Sequence, residues 1–178
     1  MMPKKAVTSF IKDREIYEKV ILELIPKTRQ FLWIATADIK DMYIERKGKS
    51  VPFLSLLNDL ILQKKSIRLI HAKEPGEMFR KDFDKYPALW DNLERVCCPR
   101  VHFKTVIVDG LHTYIGSANL TGAGLGAKSS SKRNFENGIL TDDEKLIEPA
   151  MLQFDELWIG KHCKSCQRKE YCGDRINL

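Results

Sequence analysis

The sequence predicts an α/β fold: a mixed, largely parallel β-sheet flanked by helices. Three observations predict it. Short runs of β-branched and aromatic residues alternate with stretches whose apolar residues recur at helical spacing. The 178 residues fit one domain of ordinary size. Hydrophobic residues make up 43% and charged residues 30%, which allows a core and argues against disorder.

The elements follow in order. Residues 14–27 read as a helix, with Ile16, Val20, Ile21 and Leu24 on one stripe and Pro26 at its end. Residues 31–37 read as a buried strand. Residues 38–50 are charged and loop-like, with a basic turn at 46–49; Tyr43, Arg46 and Lys47 are secondary candidates for touching a substrate there. Val51-Pro52 opens a second helix that carries Leu56, Leu57, Leu60 and Ile61. Residues 66–72 form another strand. Residues 74–95 mix turn signals (Pro75, Gly76, Pro87) with short helical pieces. Residues 101–108 are rich in β-branched residues and stop at the turn signal Asp109-Gly110, and a second short strand covers 112–115. A strand around Glu136 follows the polar segment 128–133. A last helix spans about 143–159, with Ile147, Met151, Phe154 and Trp158 at helical spacing. These apolar stripes are core. There is no internal repeat.

Charge and hydropathy narrow the classes. The net charge is +6 and the isoelectric point about 9.0, which favours a polyanionic partner without separating DNA, RNA and anionic lipid. No apolar run approaches about eighteen residues, so no membrane span is expected. Met1-Met2-Pro3-Lys4-Lys5 lacks a following apolar stretch of signal type, so a cytoplasmic location is expected.

Residues 102–119 carry the string H-x-K-x4-D-x6-G-S-x-N once. It holds a nucleophile, a cation, a carboxylate and an amide. His102 and Lys104 are two apart, so on a strand they face the same side. A neutral imidazole can attack phosphorus and form a covalent intermediate. An ammonium can hold a non-bridging oxygen while charge redistributes. Gly116 permits close backbone approach, and Ser117 and Asn119 offer donors to phosphate oxygens. Lys104 and Asn119 supply the charge and donors that a metal would otherwise bring. A lone His-x-Lys or Gly-Ser pair means little; the full spaced string carries the reading. His71-x-Lys73 mimics its start, but without the later residues it reads as a strand-end histidine near the sheet edge.

The string resembles the signature of the phospholipase D superfamily, matched at His102, Lys104, Asp109, Gly116, Ser117 and Asn119. The resemblance covers roughly residues 10–160 and implies a phospholipase D-like α-β-α sandwich. It implies that Glu136, in Asn134-Phe135-Glu136-Asn137-Gly138, orients His102. Single-copy members of this length resemble small endonucleases, which implies a homodimer with two strings meeting across a two-fold axis. One His102 would form a phosphohistidine and its partner would protonate the leaving oxygen. Residues 1–160 are thus expected to be a catalytic domain and 161–178 a cysteine-rich tail.

In the tail, Cys163-x2-Cys166-x5-Cys172 places three of the five cysteines within ten residues. Without a secretion signal, such clustering favours metal over disulfides. The fourth ligand is expected from Cys98, with Cys97 and His162 as alternatives. Four thiolates suit a structural 4Fe-4S iron-sulfur cluster or zinc. The pattern is similar to the iron-sulfur staple of RecB-like nucleases. The expectation is therefore a metal-independent phosphodiesterase, most simply a nuclease, with a structural metal in the tail. The alternatives are a phospholipase or phosphatidyl transferase on anionic lipid, and a non-catalytic nucleic-acid-binding module.

Overall fold

The computed structural model describes residues 5–174. Its centre is a seven-stranded sheet in the order β1-β9-β8-β7-β2-β5-β6. These strands are β1 (Thr8–Lys12), β2 (Phe31–Thr36), β5 (Ser66–His71), β6 (Leu93–Cys97), β7 (Lys104–Val108), β8 (His112–Gly116) and β9 (Asn137–Thr141). A separate hairpin pairs β3 (Tyr43–Arg46) with β4 (Lys49–Pro52).

The sheet is mixed and flanked by helices, as the sequence predicts, but it is not largely parallel. Only β2–β5 and β5–β6 pair in parallel. The pairs β1–β9, β9–β8, β8–β7 and β7–β2 are antiparallel. The cause is the short β7–β8 turn. Asp109 (φ 57°) and Gly110 (φ 66°) reverse the chain directly, and strands joined so tightly pair antiparallel. The same chemistry makes the 46–49 turn a hairpin tip, with Lys47 (φ 51°) and Gly48 (φ 72°) at its centre.

Both faces of the middle strands are buried. On β2, Leu32 and Ile34 enter one core while Trp33 and Ala35 enter the other, as a period of two requires. The larger core is closed by the first helical segment, α2 (Phe53–Leu62), α3 (Glu77–Phe83) and α4 (Pro87–Asn92). That first segment begins as α1 (Arg14–Ile16), widens to a π-helix (Tyr17–Leu24) and ends in a 3-10 turn (Ile25–Lys27) containing Pro26. Its buried stripe contains the predicted Ile16, Val20, Ile21 and Leu24.

The second core lies under α5 (Glu144–Trp158), which Asp143 caps by accepting from Lys145 N at 3.0 Å. Phe154 is fully buried and stacks on Trp33 at 4.9 Å between ring centres. Burying one such ring contributes about 2–3 kcal/mol. No helix among the described residues is long and apolar enough to cross a membrane.

Register places the predicted site at one end of the sheet. Thr36 pairs with His71, and His71 with Cys97. Ala35 pairs with Thr105, Lys104 with Gly116, and Gly116 with Gly138. The carboxyl ends of the parallel strands β2 and β5 therefore meet the start of β7 and the end of β8. Crevices beyond such strand ends are where open α/β sheets bind ligands.

Candidate active site

Lys104 is the site's fixed point. It opens β7 and is 7% exposed. Its Nζ donates to the His102 carbonyl oxygen at 2.6 Å. Burial pulls its pKa below the ordinary lysine value, and the Glu136 carboxylate opposes that pull. His102 lies outside the strand, because β7 begins at residue 104 rather than 101. Thus His102 and Lys104 are not strand neighbours; the lysine instead reaches back to the histidine's own backbone. The His102 side chain is exposed, and its ring makes no hydrogen bond to the described residues.

Ser117 and Glu136 join the ends of β8 and β9. Ser117 Oγ donates to Glu136 Oε2. Ser117 Oγ also accepts from Asn137 N at 3.1 Å. Asn134 Nδ2 donates to Glu136 Oε1 at 3.1 Å. No hydrogen bond joins Glu136 to His102 among the described residues, so the expected orienting contact is replaced by one to Ser117. The strands come this close because Gly116 and Gly138 face each other. A Cβ on Gly116 would lie 2.5 Å from Asn137 O, and one on Gly138 would lie 2.6 Å from Ile115 O. Backbone cannot yield to such contacts, so both positions require glycine.

Asn119 is aimed by its oxygen. Oδ1 accepts from Asp38 N at 3.1 Å and from the Thr36 hydroxyl at 3.4 Å. With the carbonyl side held, the amide N–H groups point away from β2 as donors. Thr36 and Asp38 were not singled out from the sequence. A signal existed: Thr36 is a polar residue closing an apolar run at a strand's carboxyl end.

Asp109 is the exception among the motif residues. It sits in the β7–β8 turn, at the opposite end of β7 from Lys104, roughly 16 Å away along the strand. Its carboxylate accepts from Arg29 N (2.9 Å), Gln30 N (2.8 Å) and Phe31 N (2.9 Å). Burial pushes its pKa up, but these three N–H groups outweigh burial and hold it below the usual carboxylate value. Asp109, expected with His102, Lys104, Ser117, Asn119 and Glu136 among the catalytic residues, is thus not brought together with them. Its geometry anchors the start of β2.

The secondary candidates are engaged elsewhere. Arg46 pairs with Asp59 at 2.8 Å, and Tyr43 donates to Asp82 at 3.3 Å. Lys47 is at the hairpin tip. Phe135, beside Glu136, is 97% exposed. It lines a groove with Lys12, Arg133 and Asn134. An aromatic residue inside a polar loop was the signal for it.

Two thiol-bearing sites lie beyond β6. Cys98, Cys163, Cys166 and Cys172 line one cavity of about 170 Å³, together with His162. Cys97 points elsewhere. It is buried, and burial pushes its thiol up to about 11. Its sulfur and ligand atoms of His71 and Glu74 lie within 4.8 Å of one another. His71 Nδ1 contacts Lys73 O at 2.9 Å, and Lys73 pairs with Asp38 at 3.1 Å. His162 faces Glu156 at 3.4 Å. Among the expected metal ligands, Cys98 and His162 line the cavity with the tail cysteines and Cys97 does not, although Cys172 Sγ lies 3.7 Å from the Cys97 carbonyl oxygen.

An exposed imidazole, a buried ammonium and an outward amide, set at the carboxyl ends of parallel strands in an α/β sandwich, are groups that can hold a phosphate-like anion. The chain belongs to the phospholipase D-like family: the family model described as cardiolipin synthase, PLD-like domain, matches residues 21–158. No curated protein matches it in sequence. Among solved structures, NucT from Helicobacter pylori aligns with a TM-score of 0.64 at 16% identity, over 94% of this chain and 98% of that one. The phospholipase D family member Nuc from Salmonella typhimurium also aligns at 0.64 and 16% identity, over 86% and 95%. Phosphatidylserine synthase from Haemophilus influenzae Rd KW20 aligns at 0.59 and 17% identity, over 90% of this chain but 40% of that one. At these identities the likeness is one of fold.

Proposed function

We propose that the protein is a metal-independent phosphodiesterase that cleaves nucleic acid at a site shared between two copies of the chain. The observation that carries this is the gathering of His102, Lys104, Ser117, Asn119 and Glu136 at one sheet end. Lys104 and the Asn119 amide hold the non-bridging oxygens. A ring nitrogen of His102 attacks phosphorus, forming a P–N bond as the bond to the leaving oxygen breaks. His102 of the partner subunit donates a proton to that oxygen. The same partner imidazole then takes a proton from water, whose oxygen attacks phosphorus, breaks the P–N bond and frees His102.

These 178 residues carry one copy of the string, and the proposed acid comes from a second copy of the chain. The Phe135 ring, wholly outside the fold beside Glu136, supplies apolar surface for that contact. The nuclease reading is favoured over the lipid one by length. NucT and Nuc are covered almost completely, whereas phosphatidylserine synthase is covered by less than half. The groove beside Phe135 carries Lys12, Arg14 and Arg133 against Asp13 and Glu15, and its exposed ring offers a face on which a base can stack.

A substrate panel tests this. Single- and double-stranded DNA, RNA and cardiolipin vesicles are offered to wild type and His102→Ala, and each preparation is sized by light scattering. Nucleic-acid cleavage by a species of about twice 20.6 kDa is expected. Conversion of the cardiolipin to phosphatidic acid and phosphatidylglycerol with intact nucleic acid would establish the lipid reading instead. Turnover is also expected to survive excess EDTA; loss that added magnesium restores would overturn the metal-independent chemistry.

A further inference from the structure

We propose that Cys98, Cys163, Cys166 and Cys172 bind a 4Fe-4S cluster that staples the tail to the segment leading into His102. The inference is independent of the phosphodiesterase reading. It begins where α5 stops. Gly160 (φ 72°) ends the helix, and two tight turns follow. Cys163 N donates to Gly160 O at 2.8 Å, and Cys166 N to Cys163 O at 3.2 Å. The second turn closes the Cys-x2-Cys loop into a knuckle that aims both sulfurs into one space. Arg168 N donates to Cys166 Sγ at 3.4 Å. Backbone N–H groups on sulfur are one of the contacts through which proteins tune thiolate-held clusters. The 3-10 turn Lys169–Tyr171 then returns Cys172 to the same cavity.

The fourth cysteine comes from a distant part of the chain. Cys98 follows β6 and is fixed by its N–H to His71 O at 2.8 Å. Four thiols from two separate segments thus surround about 170 Å³ of space.

Tetrahedral zinc with bonds of about 2.3 Å draws its thiolates to about 3.8 Å apart. A cubane, with its own irons and sulfides inside, holds thiolates farther apart and fills more of the cavity than a single ion does. The charge also fits. Four thiolates around a dicationic cube leave two negative charges, and Arg100 and Lys164 line the cavity. On assembly each cysteine releases its thiol proton to solvent and bonds one iron.

The test is anaerobic purification of the full chain, with reconstitution by ferrous iron and sulfide under thiol. A brown protein is expected, with a broad band near ~400 nm and about four irons and four sulfides per chain. Cys166→Ser and Cys172→Ser should lose most of the colour, and Cys97→Ser should keep it. Circular dichroism checks that each variant is folded, and tryptic cleavage in the tail should quicken in the apo-protein. Colourless protein after reconstitution would overturn the proposal, whether it contains zinc or nothing. So would a cluster that survives both Cys166→Ser and Cys172→Ser.

Discussion

Replacing His102 by alanine is expected to lower turnover by about four orders of magnitude or more while leaving the melting temperature nearly unchanged. The two halves of this expectation rest on one observation. The ring is exposed and bonds to nothing else among the described residues, so the fold does not depend on it. Exposed substitutions of this kind usually change stability by less than about 0.5 kcal/mol. Lys104 is held by the backbone carbonyl of residue 102, which alanine retains, so the ammonium stays in place. The measurement is single-turnover cleavage alongside a thermal melt. Cleavage at the wild-type rate would remove His102 from the role of nucleophile.

Asp109→Asn should do the reverse. The side chain keeps its shape but loses the charge that accepts three backbone N–H groups at the start of β2. Hydrogen bonds to a charged acceptor contribute about 1.5–3 kcal/mol each and do not add fully. A loss of about 3 kcal/mol is expected, lowering the melting temperature by roughly 6–12 °C for a chain of this size. Turnover per folded molecule should hold, because the turn lies at the far end of β7. The pH dependence has a definite sign. The folded pKa is depressed, so this contribution is complete above the unfolded value of about 3.9 and is lost as pH falls through the folded value. The gap in stability between wild type and variant should therefore be full near neutrality and shrink on acidification below about pH 4. A variant of unchanged stability that has lost its turnover would return Asp109 to the site.

The contrast between these residues marks what could be read from the letters alone. The strands of the middle of the sheet were legible because both of their faces are buried. Phe31–Thr36 is a nearly continuous apolar run, Ser66–His71 carries Ile67, Leu69 and Ile70, and Lys104–Val108 ends in Val106, Ile107 and Val108. The edges were not. In β1, Phe10 is exposed while Ile11 is buried, and β6 carries Glu94 and Arg95. Each edge strand has too few apolar residues to set a period. The hairpin β3–β4 was read only as its turn, because its strands are short and charged.

In the site, residue identity was legible and direction was not. The string named His102, Lys104, Ser117 and Asn119, the resemblance added Glu136, and the fold brings these residues to one end of the sheet. The string could not reveal that Lys104 would turn to a carbonyl, or that Thr36 and Asp38 would aim Asn119. The contacts to Asn119 join residues more than eighty positions apart, and no local spacing encodes them. Nor could spacing tell Cys97 from Cys98, since adjacent residues differ only in which side of the chain they face.

The tail has a further consequence. Among the described residues β6 pairs only with β5, so its other side is a bare strand edge. Charged residues occupy the middle of that strand, but they stop before Cys97. There the Asp174 carboxylate accepts from Cys97 N at 2.7 Å, and Gly173 packs against the Cys97 side chain. The returning tail thus plugs the one stretch of edge that charge does not guard. A chain cut short before residue 173 would offer that edge as a template for strand pairing with another molecule. Such a truncation should betray itself first as poor solubility and aggregation on storage, before any change in its chemistry is measured.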